Sequence, residues 1–247
     1  MNISKKLTGW SVSASGDAGF PASNLLVESG VIWKYTGSSV TLTLTSNVAT
    51  SVGAIAFIRT NFESDVSILV KVYPSLSASS PSYTHTFSPL TGTDEEAPTV
   101  GVWLPTLMDC RKVVITLDGG QGVFSAEYLH LGDILTLTPP EGESVRVGNV
   151  DLSTSSRLAS GRQRVEVGAM YKTLSFSIQS LPDSERDAMW RLYTKVGKHT
   201  PVLISLTPQE DNTTSNLLTV FGRFSSSTDI AYKALGVYST DLTVEES

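Results

Sequence analysis

The sequence predicts a mainly β protein with two parts: an N-terminal β-sandwich of the jelly-roll type, and a C-terminal α+β domain with one helix packed on antiparallel strands. Two observations predict this architecture. Apolar and polar residues alternate through most of the 247 residues, in short runs separated by Gly, Pro and Ser. Residues 180–197 instead place Met189, Leu192, Tyr193 and Val196 at the spacing of one helix face.

The first half supplies the predicted strands of the sandwich. They cover residues 40–45, 52–60, 66–73, 83–87, 100–104, 113–117 and 124–131. Short strands at this spacing, separated by turn residues, are typical of antiparallel sandwiches and jelly rolls. The double proline Pro139–Pro140 interrupts the pattern, and we place a domain boundary just before it. The predicted domains are therefore 1–135 and 136–247.

The second half combines strands with the helix. Its predicted strands cover residues 147–152, 163–167, 171–179, 201–206, 217–224 and 232–244. Ser180 is the expected cap of the helix, Pro182 lies in its first turn, and Gly197 ends it. Residues 207–215 are polar throughout, which predicts an exposed loop.

Composition excludes several classes of protein. A net charge of −6 and a pI near 5.1 argue against nucleic-acid binding, which needs a basic surface. The single cysteine, Cys110, precludes a disulfide within the chain and is expected to be buried at the start of a strand. The N-terminal residues have a charge pair but no apolar segment after it, so no secretory signal is expected, and no apolar run reaches the length of a membrane helix.

Residue patterns for catalysis are lacking in the sequence. His85, His130 and His199 are far apart and have no metal-ligand spacing, and there is no Gly-x-Ser-x-Gly motif. Carboxylates in the run 94–96 suit glycoside hydrolysis if one is buried, or calcium binding, but the Gly, Thr and Pro around them favour a solvated loop. We therefore predict no enzyme activity, no cofactor and no metal.

Tryptophans raise the question of sugar stacking. Trp103 lies in an alternating segment, which favours a position in the core. Trp190 lies off the apolar face of the helix. It either covers a loop or contacts another subunit, because interfaces are enriched in Trp and Arg.

Arginines mark a second candidate surface. Arg157, Arg162 and Arg164 lie in a Ser- and Gly-rich segment with few acidic neighbours. They form either a solvated strand edge or a contact with an acidic face of a neighbouring copy. The candidate interface residues are Arg157, Arg162, Arg164, Arg186, Trp190 and Arg191. Ligand-binding residues cannot be assigned from the sequence.

The first half resembles the discoidin-like, galactose-binding type of jelly roll. Three segments carry the resemblance: Phe20 to Leu26, which contains Ala-Ser-Asn-Leu; Val31 to Lys34, with its tryptophan; and the closing run Phe124 to Gly132. It spans about residues 8–133 and implies the fold, and it implies a core position for Trp33, which matches the family's structural tryptophan. Members of that family bind sugars or lipids through variable loops, so the resemblance transfers no binding residues.

The second half is similar to a module of minor and distal tail proteins of tailed bacteriophages. The segments that carry this resemblance are Ser160 to Arg164, Lys172 to Ile178, Leu181 to Met189 and Pro201 to Ile204. They follow the order of an Arg-containing strand, a second strand, a helix and a Pro-led apolar strand. Tail proteins of this kind usually place the ring-forming domain first, whereas here the sugar-module-like domain leads.

These resemblances together imply a structural component of a phage tail tip. Its C-terminal domain would form a homo-oligomeric ring, and its N-terminal domain would project outward as a carbohydrate-binding-like decoration. The expected partners are tube, tape-measure and hub proteins and host surface glycans, and the expected location is the virion tail after synthesis in the host cytoplasm. The alternative function is that of a carbohydrate-binding module without a ring role.

Overall fold

The computed structural model describes residues 1–15, 20–28, 30–89, 99–120, 122–140, 144–157, 160–207, 218–225 and 229–247. It divides into two compact units. The sandwich unit comprises Asn2–Thr136 and Leu203–Thr219. The helix unit comprises Met1, Leu137–Val202 and Val220–Ser247. The predicted domains 1–135 and 136–247 stay a prediction, because a cluster of contacts is a weaker criterion than independent folding.

The described chain is mainly β, as the sequence predicts. Its strands are β1 (Asn2–Lys5), β2 (Trp10–Ala14), β3 (Trp33–Thr36), β4 (Ser39–Thr60), β5 (Ser67–Tyr73), β6 (Tyr83–Phe87), β7 (Val100–Asp118), β8 (Val123–Gly132), β9 (Leu135–Thr136), β10 (Arg146–Asp151), β11 (Thr154–Arg157), β12 (Gln163–Glu166), β13 (Met170–Pro182), β14 (Val202–Ser205), β15 (Thr219–Phe224), β16 (Ile230–Ala234) and β17 (Val237–Glu246). A 3₁₀ helix covers Ala22–Leu26, and the α-helix α1 covers Asp183–Val196.

Two long strands, β4 and β7, build both layers of the sandwich. The first part of β4 and the last part of β7 lie in one antiparallel layer, ordered β6-β5-β7-β4-β2. The last part of β4 and the first part of β7 lie in the other, ordered β7-β4-β8-β3. Register shifts between Thr45 and Thr50 and between Val52 and Ala54 mark where β4 passes from one layer to the other.

The sandwich core lies between these layers. β5 alternates buried and half-buried residues, so Ile68, Val70 and Val72 point inward. Trp33 is 1% exposed and Trp103 is 6% exposed, which confirms both as core residues. Cys110 is also fully buried, but it lies within β7 rather than at the start of a strand.

The prediction of two separate strands in place of β4, and of two in place of β7, is wrong. The predicted strands 40–45 and 52–60 are both parts of β4, and 100–104 and 113–117 are both parts of β7. The intervening residues stay extended, and the exposed bend of β4 is held by Arg111, which donates to the carbonyl oxygens of Ser46 (3.3 Å) and Asn47 (2.7 Å). The exposed residues in the middle of each long strand therefore had the sequence pattern of a loop between two strands.

The helix unit contains an antiparallel sheet with α1 on one face. The strand order is β10-β13-β17-β15, and β16 also pairs with β17. Met189, Leu192 and Val196 are buried as α1 packs on β13 and β17. Tyr193 lies beside Phe224, with ring centroids 5.8 Å apart. The predicted apolar face of the helix is therefore confirmed.

Helix α1 begins later than predicted. Ser180 belongs to β13, which stays paired with β17 as far as Pro182 and Val237. Pro182 is the N-cap residue and forms no side-chain cap, so the predicted Ser180 cap is wrong. Glu185 in the first turn accepts from the amide nitrogen (2.7 Å) and hydroxyl (2.9 Å) of Thr138. Gly197 ends the helix at φ +55°, as predicted.

Another correction concerns residues 232–244, predicted as one strand. They belong to two strands, β16 and β17, joined by a turn in which Gly236 has φ +72°. The predicted acidic loop at 94–96 and most of the predicted polar loop at 207–215 lie outside the described residues. Among the residues that are described, no helix is both long and apolar enough to cross a membrane.

Candidate functional site

A surface groove of about 250 Å³ lies at one edge of the sandwich unit. Three segments that are separate in sequence form it: the end of β2, the residues entering the 3₁₀ helix, and β3. Its lining residues are Val12, Ser13, Ala14, Phe20, Pro21, Ala22, Ser23, Trp33, Lys34 and Tyr35. We call this feature the groove.

Backbone pairing brings the segments together. Phe20 forms an isolated antiparallel bridge with Lys34 of β3, which extends the sheet edge by one residue pair. Pro21 follows with an extended backbone, and its carbonyl oxygen accepts from the Asn24 amide at 3.0 Å. The chain therefore turns sharply after Phe20, and Ala22 is buried while the Phe20 side chain stays 47% exposed.

Aromatic side chains form the apolar part of the groove. The Tyr35 ring stacks on the Phe124 ring, with centroids 6.5 Å apart and an interplanar angle of 21°. The same ring lies against Gly37, where a Cβ atom would be 2.7 Å from Tyr35 Cε1. A glycine at this position thus leaves room for Tyr35. Trp33 anchors the strand from below as a core residue.

Hydroxyl groups supply the polar part of the groove. Ser13 is exposed and donates to the carbonyl oxygen of Thr43 at 3.4 Å, which leaves its oxygen able to accept a hydrogen bond. Ser23 is also exposed. The ammonium group of Lys34 is the only charged group among the described lining residues. The groove therefore offers aromatic surface, hydroxyls and one cation, without a carboxylate among those residues.

Sequence reasoning did not find this site. Trp33 was expected in the core, which is correct, but Phe20, Lys34 and Tyr35 were not singled out as binding residues. Phe20 lies 14 residues before its partner Lys34, and no spacing rule connects them. The sequence feature that could have indicated the site is an aromatic residue, Phe20, directly before a proline.

Arg186, predicted as an interface residue, is held within the helix unit. Its guanidinium donates to Asp183 (2.8 Å), Asp187 (2.8 and 2.9 Å) and the Tyr238 hydroxyl, and lies 4.5 Å from the Tyr238 ring centroid. The hydrogen bond with Asp187 is the main reason that its pKa is raised. Most of its donors are thus already used. As a partner contact Arg186 stays a prediction.

Two other predicted interface residues lie on the solvent side of α1. Trp190 is 58% exposed, and its carbonyl oxygen accepts from the Thr194 hydroxyl at 2.8 Å. Arg191 follows it and is also exposed. Their interface role stays a prediction.

The predicted arginine cluster lies on a two-stranded ribbon formed by β11 and β12. Every residue of these two strands is exposed, and they pair in register from Thr154 opposite Glu166 to Arg157 opposite Gln163. Arg164 forms a 2.9 Å ion pair with Glu166 along the same face. The exposed Arg162 lies in the turn between the strands. We call this hairpin the ribbon.

A buried polar pair lies elsewhere in the sandwich unit. Ser4 Oγ and His130 Nε2 are 2.9 Å apart, and both residues are 0% exposed. Burial, and secondarily the nearby Lys6 ammonium, lower the pKa of His130 to about 3. A serine–histidine contact without access to solvent has no route for a substrate, so we assign it a structural role. No group of three His, Cys, Asp or Glu in the described part of the chain is arranged to hold a metal.

Comparison with known proteins finds similar structures but no matching family. No protein-family profile and no characterised protein sequence matches the chain. Similar solved structures include the family 32 carbohydrate-binding module of NanJ from C. perfringens in complex with galactose (17% identity, 54% of this chain and 100% of that chain, TM-score 0.41). The lectin domain of lectinolysin with Lewis B antigen (16%, 50% and 92%, TM-score 0.39) and the family 32 module of AlyQ with 4,5-unsaturated mannuronic acid (18%, 49% and 92%, TM-score 0.38) are also similar. Similarity at this level does not indicate what this chain binds.

Proposed function

We propose that the protein is a non-catalytic carbohydrate-binding protein and that the groove is its sugar site. The observation that carries this proposal is the composition of the groove. Phe20 offers an exposed aromatic ring, Ser13 and Ser23 offer hydroxyls, and Lys34 offers a cation around a space of about 250 Å³. Tyr35 also lines this space, and its ring packs on Phe124.

This composition matches the chemistry of a sugar ring. A pyranose has apolar C–H faces that stack on aromatic rings, and a rim of hydroxyls that exchange hydrogen bonds with polar side chains. Sites for drug-sized ligands span roughly 300–1,000 Å³, so a slightly smaller groove suits one or two sugar rings. The described lining residues include no carboxylate, and so no acid–base pair for glycoside hydrolysis among them.

The groove also coincides with the segments on which the discoidin-like resemblance depends. Two of the segments that carry the resemblance in sequence are Phe20 to Leu26 and Val31 to Lys34. In the structure, a backbone bridge joins Phe20 to Lys34 at the groove. The resemblance itself assigns no binding residues, so the proposal rests on the local geometry.

Removing the exposed ring is the direct test. We expect the full chain to bind members of a glycan array. Phe20→Ala should lower the affinity for the best-bound glycan by about ten-fold, equivalent to roughly 1.4 kcal/mol. Tyr232→Ala is the matched control, because Tyr232 is also an exposed aromatic (64%) but lies in the helix unit. Affinities measured by calorimetry decide the outcome. An array without any bound glycan, or equal effects of the two substitutions, would contradict the proposal.

The second candidate function is that of a phage tail-tip component that assembles into a ring through the helix unit. The ribbon favours it. An isolated two-stranded hairpin is marginally stable in water, yet every residue of β11 and β12 is exposed, including Val165 at 56%. Nearby Leu152, Val167 and Met170 are more than half exposed as well. A second copy of the chain that covers the ribbon would bury these side chains.

Charge supports self-association through the ribbon. The segment 154–166 contains three arginines and one glutamate, a net charge of +2, whereas the whole chain has a net charge of −6. A basic hairpin on an acidic chain is attracted to another copy of that chain. Contacts with tube, tape-measure and hub proteins, and a location in the virion tail, belong to this proposal.

Assembly is tested by mass in solution. We expect the full chain to form a discrete multimer, and Arg162→Glu combined with Arg164→Glu to weaken self-association by about ten-fold or more, because both charges are reversed at an exposed site. Lys71→Glu is the control for a charge reversal on the sandwich unit. Light scattering gives the masses, and circular dichroism checks folding. A monomer at high concentration, or an unchanged multimer in the double variant, would overturn this candidate.

A further inference from the structure

We infer that the groove selects sugars that carry a carboxylate, such as uronic acids, over their neutral counterparts. This inference rests on the proposed function, since it names the class of sugar that the same site would prefer. It comes from the placement of Lys34 relative to Phe20.

The bridge between Phe20 and Lys34 puts their side chains next to each other. Residues directly opposite in an antiparallel pair point to the same side of the sheet, with Cβ atoms roughly 4.5–5.5 Å apart. Both side chains are exposed on that side. An aromatic ring and an ammonium group at this separation match a pyranose ring and the carboxylate attached to its C5 atom. Phe20 would stack on the sugar face while Lys34 pairs with the carboxylate.

No partner of the Lys34 ammonium is found among the described residues. Within the described residues, Lys34 forms no ion pair and no side-chain hydrogen bond. Ser125 lies opposite Lys34 on β8, and Glu127 is two residues further along the same face. The Glu127 carboxylate is already bound by Arg59 at 3.0 Å. The acidic side chain expected nearest to Lys34 on this face is therefore engaged elsewhere.

The described residues that line the groove carry no charge that would oppose an anion. The described lining residues contain no Asp or Glu, although the chain as a whole is acidic. Charges elsewhere on the acidic protein are screened over about 8–10 Å at ordinary ionic strength, so they have little effect on a ligand in the groove. The Lys34 ammonium therefore distinguishes acidic from neutral sugars there, without attracting anions to the protein as a whole. An acidic sugar would gain one charge-assisted contact that its neutral counterpart lacks.

The test compares sugars that differ by one group. Galacturonate with galactose, glucuronate with glucose, and mannuronate with mannose are presented as oligosaccharides to the full chain. We expect the acidic member of a binding pair to bind about three- to ten-fold more tightly at low salt, with the ratio falling in about 0.5 M NaCl. In Lys34→Met, the ratio of the two affinities should fall to about one. In Lys34→Arg, which keeps the positive charge, the preference for the acidic sugar should remain. Lys233→Met, an exposed lysine of β16, serves as the control and should leave the ratio unchanged.

The outcomes separate this inference from the proposed function. If neutral sugars bind in a Phe20-dependent way but the acidic members bind no more tightly, the groove is a sugar site and the inference is wrong. An acidic preference that survives Lys34→Met also overturns it, because the preference would then arise elsewhere. If no sugar of either kind binds, the proposed function fails and the inference with it.

Discussion

Replacing Gly132 with alanine is expected to lower the free energy of unfolding of the sandwich unit by about 3 kcal/mol, the upper part of the range for overpacking a core. A Cβ atom at this position would overlap Ser4 Oγ and His130 Nε2, and would lie 2.7 Å from the carbonyl oxygen of Lys5. Ser4 and His130 are fully buried, so neither side chain has space to move. The methyl group and the hydrogen bond between them cannot both be accommodated.

Chemical denaturation measures this effect, with Gly148→Ala as the control. Gly148 is also in a strand, but an added Cβ atom there meets only the side-chain oxygen of Thr173 at 3.0 Å. We expect less than about 1 kcal/mol at that site. Ser4→Ala combined with Gly132→Ala provides a sharper check, because removing Oγ relieves one overlap. The double variant should therefore be more stable than the two single effects predict. Simple additivity would show that the overlap with Ser4 is not the cause.

Acidification is expected to destabilise the sandwich unit through His130. The folded state keeps this imidazole neutral down to a pKa of about 3, whereas the ordinary value is 6.5. Below pH 6.5 the unfolded chain binds a proton that the folded chain does not. The free energy of unfolding therefore falls with falling pH between about 6.5 and 3, with a slope that approaches about 1.4 kcal/mol per pH unit.

Denaturation between pH 6.5 and pH 4.5 measures the slope, which includes contributions from carboxylates common to all variants. His130→Gln should remove the His130 contribution, while His199→Gln, a substitution of an exposed histidine, should retain it. Equal slopes in the two variants would refute the prediction. If His130→Gln does not fold, the imidazole signals of the unmodified protein in NMR decide instead. The His130 signals should not shift between pH 8 and pH 5, and a titration near pH 6.5 would refute the burial argument.

The sequence was most informative where one local pattern decides the structure. The alternation in Val66 to Tyr73 predicted β5 to within one residue, and the spacing of Met189, Leu192 and Val196 identified the buried face of α1. In each case a period of two or 3.6 residues reflects one buried face. The core position of Trp33, by contrast, was expected from the discoidin-like resemblance rather than from a local period.

Features that depend on distant partners were not predictable in this way. β1 is too short to show alternation, and it exists as a strand because Asn2 and Ile3 pair with Thr136 and Leu135. Ser180 was expected to cap α1, but β13 stays paired with β17 as far as Pro182, so Ser180 lies within a strand. The groove depends on the bridge between Phe20 and Lys34, which no periodicity encodes. Tertiary pairing decided all three.

The division into units also fixes when the protein can finish folding during synthesis. Leu203–Thr219 belongs to the same compact unit as Asn2–Thr136, although 66 residues of the other unit, Leu137–Val202, separate them. A ribosome that has released only the first 136 residues has therefore not yet supplied all of the sandwich unit. At about 5–20 residues per second, several seconds pass before the remaining segment emerges. During that interval the strands of both sandwich layers, β2 to β8, are already synthesised, and only the contacts that the later segment makes with this unit are missing.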